Sequence, residues 1–386
     1  MRIASCTGLF RGECNGFAVR HSPCLTLPVL LLAVLVSGSA ISLSANTPLK
    51  AQIARLQKES PDSAERMEMV RVQIFLDRAN FRPGKIDGLG GEFTQKAANR
   101  YCRANNLPAG TRLEVSGISA PYREYTVTKE DLKWIGPQAS EPAEQETLKA
   151  MLYSDLWEFV AERFHCDLNF LHELNPEIAE GNLGPGSVLR VPDVDEFKMA
   201  DVVAIEKQRR EDEKTTKADE GQVDASQTDL ASPAPGEGAE ATPTPSPSPT
   251  EAGRRLELLR VERLIELYEN DRLIACFPCT PGSREVPVPI GQWKVTANVL
   301  MPYFRWDKSV LETGVRSETA YNLPPGPNNP VGIVWMAINR PSVGMHGTPN
   351  PDQIGRNESH GCIRMANWDA FVLSQLINKG TPVDVK

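Results

Sequence analysis

The tract from Ala231 to Gly253, in which proline alternates with serine and threonine, divides the chain before any other feature is considered. It carries no apolar periodicity and has nothing with which to pack a core. Alternate prolines favour extended polyproline II, at about 3.1 Å per residue. With the charged, helix-prone stretch that begins at Lys198, the tract makes residues 198–253 a linker. The chain of 386 residues is therefore read as multidomain, the linker a spacer that holds its two sides apart. A net charge of −8 gives no basic field to meet phosphates, which argues against a nucleic-acid partner.

Residues 1–45 have the layout of a signal peptide: Arg2, Arg11 and Arg20, an apolar run from Leu25 to Val36, then small residues ending at Ala40 and Ala45. The run is shorter than the ~20 residues that span a bilayer. A cleaved signal is the favoured reading, with an uncleaved anchor over Ser22 to Leu49 as the only membrane association expected. Export to the periplasm or cell wall follows, and no cysteine stands where lipidation would need one. Removing Cys6, Cys14 and Cys24 with the signal leaves Cys102, Cys166, Cys276, Cys279 and Cys362. Their odd number leaves at least one thiol unpaired in an oxidising compartment.

Within 60–110, a helical pattern is broken by Arg82-Pro83-Gly84-Lys85-Ile86-Asp87-Gly88, which predicts two helices flanking a tight turn. The stretch resembles the small α-helical peptidoglycan-binding module, with its Pro-Gly and Asp-Gly turn and a helix opening at Thr94. Residues 125–193 resemble the α+β LysM module. Leu156-Trp157-Glu158-Phe159-Val160-Ala161-Glu162-Arg163-Phe164 matches its first helix, Asn175-Pro176 ends its second, and Pro185-Gly186 precedes its last strand. The candidate first strand, Tyr125 to Lys129, is separated from Leu156 by an acidic insertion, a departure from the pattern that places glycan binding in question. His165, Cys166 and His172 read as helix-face residues of this unit.

After the linker the pattern becomes mainly β. Arg263 to Tyr268 and Arg272 to Phe277 bracket Glu269-Asn270-Asp271, a predicted hairpin. Further strands are expected over Gly291 to Val299 and Gly332 to Ile338, and a helix over Asn367 to Asn378 with Asn367 as its N-cap. Cys276 and Cys279 fall at a strand end, where residues three apart point to opposite faces. Ordinary packing is favoured there over a bridge.

The chemistry concentrates in Met345-His346-Gly347-Thr348 and Ser359-His360-Gly361-Cys362-Ile363-Arg364-Met365. A thiol attacks acyl carbon when its pKa is lowered or a base takes its proton, and a neighbouring imidazole supplies either route. Pro349, Pro351 and Gly355 make the intervening segment a loop that returns the chain, so thiol and imidazole meet through the fold. The glycines permit close backbone approach to an oxyanion. A zinc site at His346, His360 and Cys362 has only three ligands and no nearby Cys-x-x-Cys, which disfavours it. Ser-x-x-Lys is absent, and Pro176 occupies the second histidine position that His172-Glu173 would require in a His-Glu-x-x-His site.

This arrangement, with Pro324-Pro325-Gly326-Pro327-Asn328-Asn329-Pro330-Val331-Gly332 upstream, resembles the L,D-transpeptidase catalytic domain of the YkuD type over 256–386. The resemblance implies Cys362 as nucleophile, His346 as base with the Gly347 carbonyl orienting it, and His360 and Gly361 shaping the oxyanion site. It implies Arg364, Ser359, Asn328 and Asn329 as substrate-binding residues, with no metal and no cofactor. The implied reaction is acyl transfer between peptidoglycan stem peptides through a Cys362 thioester, giving a 3→3 cross-link, the N-terminal modules holding glycan strands. An L,D-carboxypeptidase using the same site and a non-catalytic wall-binding protein are the alternatives.

Overall fold

The computed structural model describes residues 49–219, 253–282, 287–309, 316–340, 343–356 and 361–386. The signal-like stretch, the Pro-rich tract, Ser359 and His360 lie outside the described residues.

The first described segment opens with α1 (Leu49–Leu56), α2 (Ala64–Arg78) and α3 (Glu92–Ala104). The Ser63 hydroxyl accepts the Arg66 N–H and caps α2. Between α2 and α3 the Asp87-Gly88 turn is held from inside. Buried Gln73 donates to Asp87 Oδ1 and accepts from the Gly88 N–H, each at 2.8 Å. Gly88 has φ +70°, and a Cβ there would lie 2.8 Å from Arg66 Cγ, so both conformation and space call for glycine.

Next come β1 (Tyr122–Thr126), a 3-10 turn (Lys129–Trp134), α4 (Pro142–Gln145), α5 (Leu156–Arg163), α6 (Leu168–Leu174) and β2 (Val188–Pro192). The two strands are antiparallel, with Tyr122 opposite Pro192 and Thr126 opposite Val188. Strand β1 thus starts three residues before the expected Tyr125, because Asp131 Oδ2 accepts the Thr128 N–H at 2.7 Å and turns the chain into the 3-10 segment. Asp155 and Asp167 cap α5 and α6. His172 lies on α6 against Trp157, but His165 follows α5 in a left-handed conformation, φ +53°, instead of sitting on a helix face. A 21-residue helix, α7 (Met199–Asp219), follows.

The second segment holds β3 (Arg254–Leu259), β4 (Leu264–Glu269), β5 (Arg272–Pro278), β6 (Thr280–Pro281), β7 (Gly291–Leu300), β8 (Phe304–Trp306), β9 (Tyr321–Leu323), β10 (Val334–Ile338), β11 (Gly344–His346), β12 (Ile363–Arg364), α8 (Asn367–Leu376) and β13 (Pro382–Val385). Nine strands form one sheet in the order β5-β4-β3-β13-β7-β10-β11-β12-β6, and β8 pairs with β9 separately. The β4–β5 hairpin forms where expected, because Asn270 and Asp271 both take positive φ, as a two-residue turn matching the strand twist requires. Cys276 and Cys279 are buried and unbridged. Asn367 is not the cap of α8. Ala366 occupies that position, and Asn367 is the first helical residue, its side chain fully buried.

The two sides of the linker are not held apart, which corrects the spacer expectation. The turn after α2 docks on the edge strand β5: the Arg82 N–H donates to the Cys276 carbonyl at 2.9 Å and the Cys276 N–H to the Asn80 carbonyl at 3.0 Å. Glu266 of β4, almost fully buried, pairs with Arg100 and Arg103 of α3. His165 stacks on Trp368 of α8. The acidic insertion between β1 and α5 reaches the second segment as well. There Met151 exchanges backbone hydrogen bonds with Pro325 and Asn328, and Glu146 accepts the Asn322 N–H at 2.8 Å. One apolar core accordingly runs from Val70 through Trp157 to Val385.

Candidate active site

Strand β11 lies between β10 and β12, antiparallel to the first and parallel to the second. Trp335 of β10 is in register with His346 of β11, which is in register with Arg364 of β12. In-register neighbours share a face, and side chains two apart along a strand share it too. His346 and Arg364 therefore share a face, and an aromatic wall joins His346 to Cys362, the residue just before β12. Trp335 stacks on the His346 imidazole with ring centroids 5.5 Å apart, and it packs with Cys362, Val331 and Phe304 in one small cluster. Gly344 is glycine because a Cβ would lie 2.7 Å from the Trp335 ring.

His346 is 4% exposed, and its Nδ1 lies 2.6 Å from the Gly347 carbonyl oxygen. A carbonyl only accepts, so Nδ1 carries the proton and Nε2 keeps its lone pair, the tautomer a general base needs. Burial pushes the imidazole down to about 4, outweighing the Gly347 hydrogen bond, and the Arg364 guanidinium pushes the same way as burial. Cys362 is 8% exposed. Burial pushes its thiol up to about 11, against a backbone hydrogen bond from Gly344 and the Arg364 charge. Desolvation also lowers Arg364 itself. Both partners rest neutral, so of the two routes to a nucleophile the site supports proton removal by a base over a standing thiolate.

Gly361 precedes the thiol with φ +97°, a left-handed conformation suited to glycine. His360 and Ser359 lie outside the described residues. Asn329 is fully buried. Its side chain donates to the Pro324 carbonyl at 2.9 Å and accepts the Val331 N–H at 3.0 Å, so it braces its own loop instead of facing the thiol. Asn328 contacts Glu158 at 3.4 Å and lines a cleft of about 540 Å³ between α5 and residues 349–353, a lining that includes neither Cys362 nor His346. Among the described residues no three His, Cys, Asp or Glu side chains are placed to hold a metal ion.

Trp335, Phe304 and Gly344 were not singled out from the sequence. The Asn339-Arg340-Pro341 turn signal in the sequence was the available clue; the antiparallel pairing of β10 with β11 sets Trp335 beside His346.

Residues 255–385 match the family model of the YkuD L,D-transpeptidase catalytic domain. A Bacillus licheniformis protein named "Putative L,D-transpeptidase YkuD" is 30% identical over 123 residues, 32% of this chain and 59% of that protein. The similarly named YqjB of Bacillus subtilis is 29% identical over 129 residues, 32% of this chain and 65% of its own length. The chain thus spans about six tenths of these curated relatives. The solved catalytic domain of an Enterococcus faecium L,D-transpeptidase is 21% identical, with a TM-score of 0.28, covering 35% of this chain and 98% of that one. The C-terminal third of the chain carries the YkuD-type catalytic domain.

Proposed function

We propose that the protein is an exported peptidoglycan L,D-transpeptidase that forms 3→3 cross-links through a thioester on Cys362. The observation that carries this reading is His346, buried with Nδ1 bound to the Gly347 carbonyl, on the strand next to the one that Cys362 immediately precedes, with Trp335 packed on both residues. Nε2 of such an imidazole removes the thiol proton as Sγ attacks the carbonyl between the third residue of a tetrapeptide stem and its terminal D-Ala. The tetrahedral oxyanion is met by the Cys362 backbone N–H, with Gly361 allowing close approach, and the family resemblance assigns His360 to the same task. His346 then gives the proton to the departing D-Ala nitrogen, leaving a thioester. An amine of a neighbouring stem attacks that thioester, its proton returns through His346 to sulfur, and free thiol is restored. No bond energy is lost to water, so acyl transfer needs no metal or organic cofactor. Arg364, on the same face, is suited to a substrate carboxylate.

The N-terminal helical and β-α-α-β units fit a role in holding stem and glycan strands, in line with their resemblance to peptidoglycan-binding and LysM modules. Export rests on the signal-like residues 1–45. Among the described residues no helix is long and apolar enough to cross a membrane.

Incubating the purified protein with tetrapeptide stems tests the reading. Cross-linked dimers with release of D-Ala are expected; tripeptide alone would make the protein a carboxypeptidase, and unchanged tetrapeptide would leave it a binder.

A further inference from the structure

The geometry points to Glu162, on the N-terminal side of the linker, as a positioning residue for His346 that acts through Asn367. The role rests on the reading of His346 as the catalytic base. Glu162 is on α5, 6% exposed, and its carboxyl is tied on two sides. The Tyr153 hydroxyl donates to Oε1 at 2.9 Å. The Asn367 side-chain amide donates to Oε1 at 3.1 Å and Oε2 at 3.3 Å, and also to the Pro327 carbonyl at 3.1 Å. Glu162 and Asn367 are 205 positions apart in sequence, on opposite sides of the Pro-rich tract.

The other end of the Asn367 amide meets the site. Its Oδ1 accepts the Ile333 N–H at 3.3 Å and lies so close to two glycines that a Cβ on Gly332 or on Gly347 would come within 2.1 Å of it. The two glycine backbones are themselves in contact, since a Cβ on Gly332 would sit 2.7 Å from the Gly347 carbonyl carbon. The Asn367 side chain therefore backs the Gly347 peptide, the group whose oxygen holds His346 Nδ1.

An amide has distinct ends, and Glu162 holds the NH₂ end away from the site together with the Pro327 carbonyl. Only the NH₂ end donates to Glu162 Oε1 and to Pro327, and only Oδ1 accepts the Ile333 N–H, which leaves Oδ1 toward the glycines. Turned over, Asn367 would set its NH₂ against the Ile333 donor. Without an acceptor at position 162 the amide keeps only Pro327 on that side, the Gly347 carbonyl loses its fixed backing, and the imidazole loses the constraint on tautomer and direction. A base displaced by a fraction of an ångström costs rate without costing substrate affinity.

The test uses the full chain with 15N-labelled histidine. In Glu162→Leu, the His346 ring nitrogens are expected to change from the single Nδ1–H tautomer to a mixture, and kcat on tetrapeptide stems to fall on the order of tenfold to a hundredfold with KM unchanged. Glu162→Gln, which keeps an acceptor for Tyr153 and Asn367, should restore kcat to within about threefold. If Glu162→Leu does not fold, Tyr153→Phe/Glu162→Leu decides, because it leaves no orphaned hydroxyl while Asn367 stays unheld. A folded variant with lowered thermal stability, an unchanged tautomer signal and wild-type kcat would overturn the proposal. A wild-type protein with no turnover at all would instead strike at the proposed reaction, and the tautomer signal would still judge Glu162.

Discussion

The resting Cys362–His346 pair should be uncharged, and titrating the thiol's reactivity shows whether it is. Burial places the thiol near 11 and the imidazole near 4. Moving the proton from sulfur to nitrogen is then disfavoured by about seven orders of magnitude before mutual attraction is counted, from the difference of the two values. An ion pair at ~4 Å and an effective dielectric of ~20 recovers about 4 kcal/mol, roughly three of those orders. The neutral pair still wins. At pH 7 about one thiol in 10⁴ is thiolate, against about one in 10² for a thiol of ordinary value. Alkylation of Cys362 by limiting iodoacetamide, followed by peptide mapping, should therefore accelerate about tenfold per pH unit from pH 6 to 10. Turnover, which needs neutral His346, should persist down to about pH 4 before it fails. A reactivity plateau with an apparent pKa between about 5 and 7 would refute the argument, because it would mean a standing thiolate–imidazolium pair.

Cys166, Cys276 and Cys279 should react more slowly than Cys362, because burial raises them further than it raises Cys362; adducts found mainly on those residues would contradict this. His346→Ala should cost at least ~10²-fold in turnover, the scale of general-base assistance, and unchanged turnover would remove it from the mechanism. Arg82 is one cation between two buried carboxyls. Asp77, also bonded to His165, keeps the charge, and burial pushes Asp369 up to about 8. A carboxyl raised on folding contributes stability fully below its unfolded value and loses it as pH rises through the folded value. Relative to Asp369→Asn, the wild type should therefore lose stability as pH rises between about pH 4 and 8, and urea titrations of the two proteins should show their profiles diverging over that window. Glu266→Leu strands Arg100 beside apolar surface and should cost about 3 kcal/mol in urea unfolding; no change would mean that the two sides of the linker are not docked through this pair.

The part of the site that repeats a local pattern was legible in the sequence. Cys362, Gly361 and Arg364 stand within four residues, and the alternation of a strand fixes their faces once a strand is assumed. The β4–β5 hairpin was legible for the same reason, since Asn270 and Asp271 announce the turn. What depended on register or on distant pairing was not. Trp335 reaches His346 only because β10 and β11 pair as they do. Asn367 has the residue type and the place of a helix cap, yet its amide is drawn inward by Glu162, a partner that no local window contains. The start of β1 was not legible because Tyr125 to Lys129 alternates while Tyr122 to Thr126 does not, and the strand ends early through the Asp131 side chain downstream, which accepts the Thr128 N–H. The composition of a proline tract says nothing about its flanks, whose surfaces carry the Arg82–Cys276 and Glu266–Arg100 contacts.

Intact-protein mass spectrometry during turnover of a tetrapeptide stem tests the covalent mechanism at its first step. A transient adduct of the stem less D-Ala should appear, map to the Cys362 peptide, discharge on adding an amine acceptor, and be absent from Cys362→Ala. Turnover without any adduct on Cys362, or an adduct that persists in Cys362→Ala, would contradict the account.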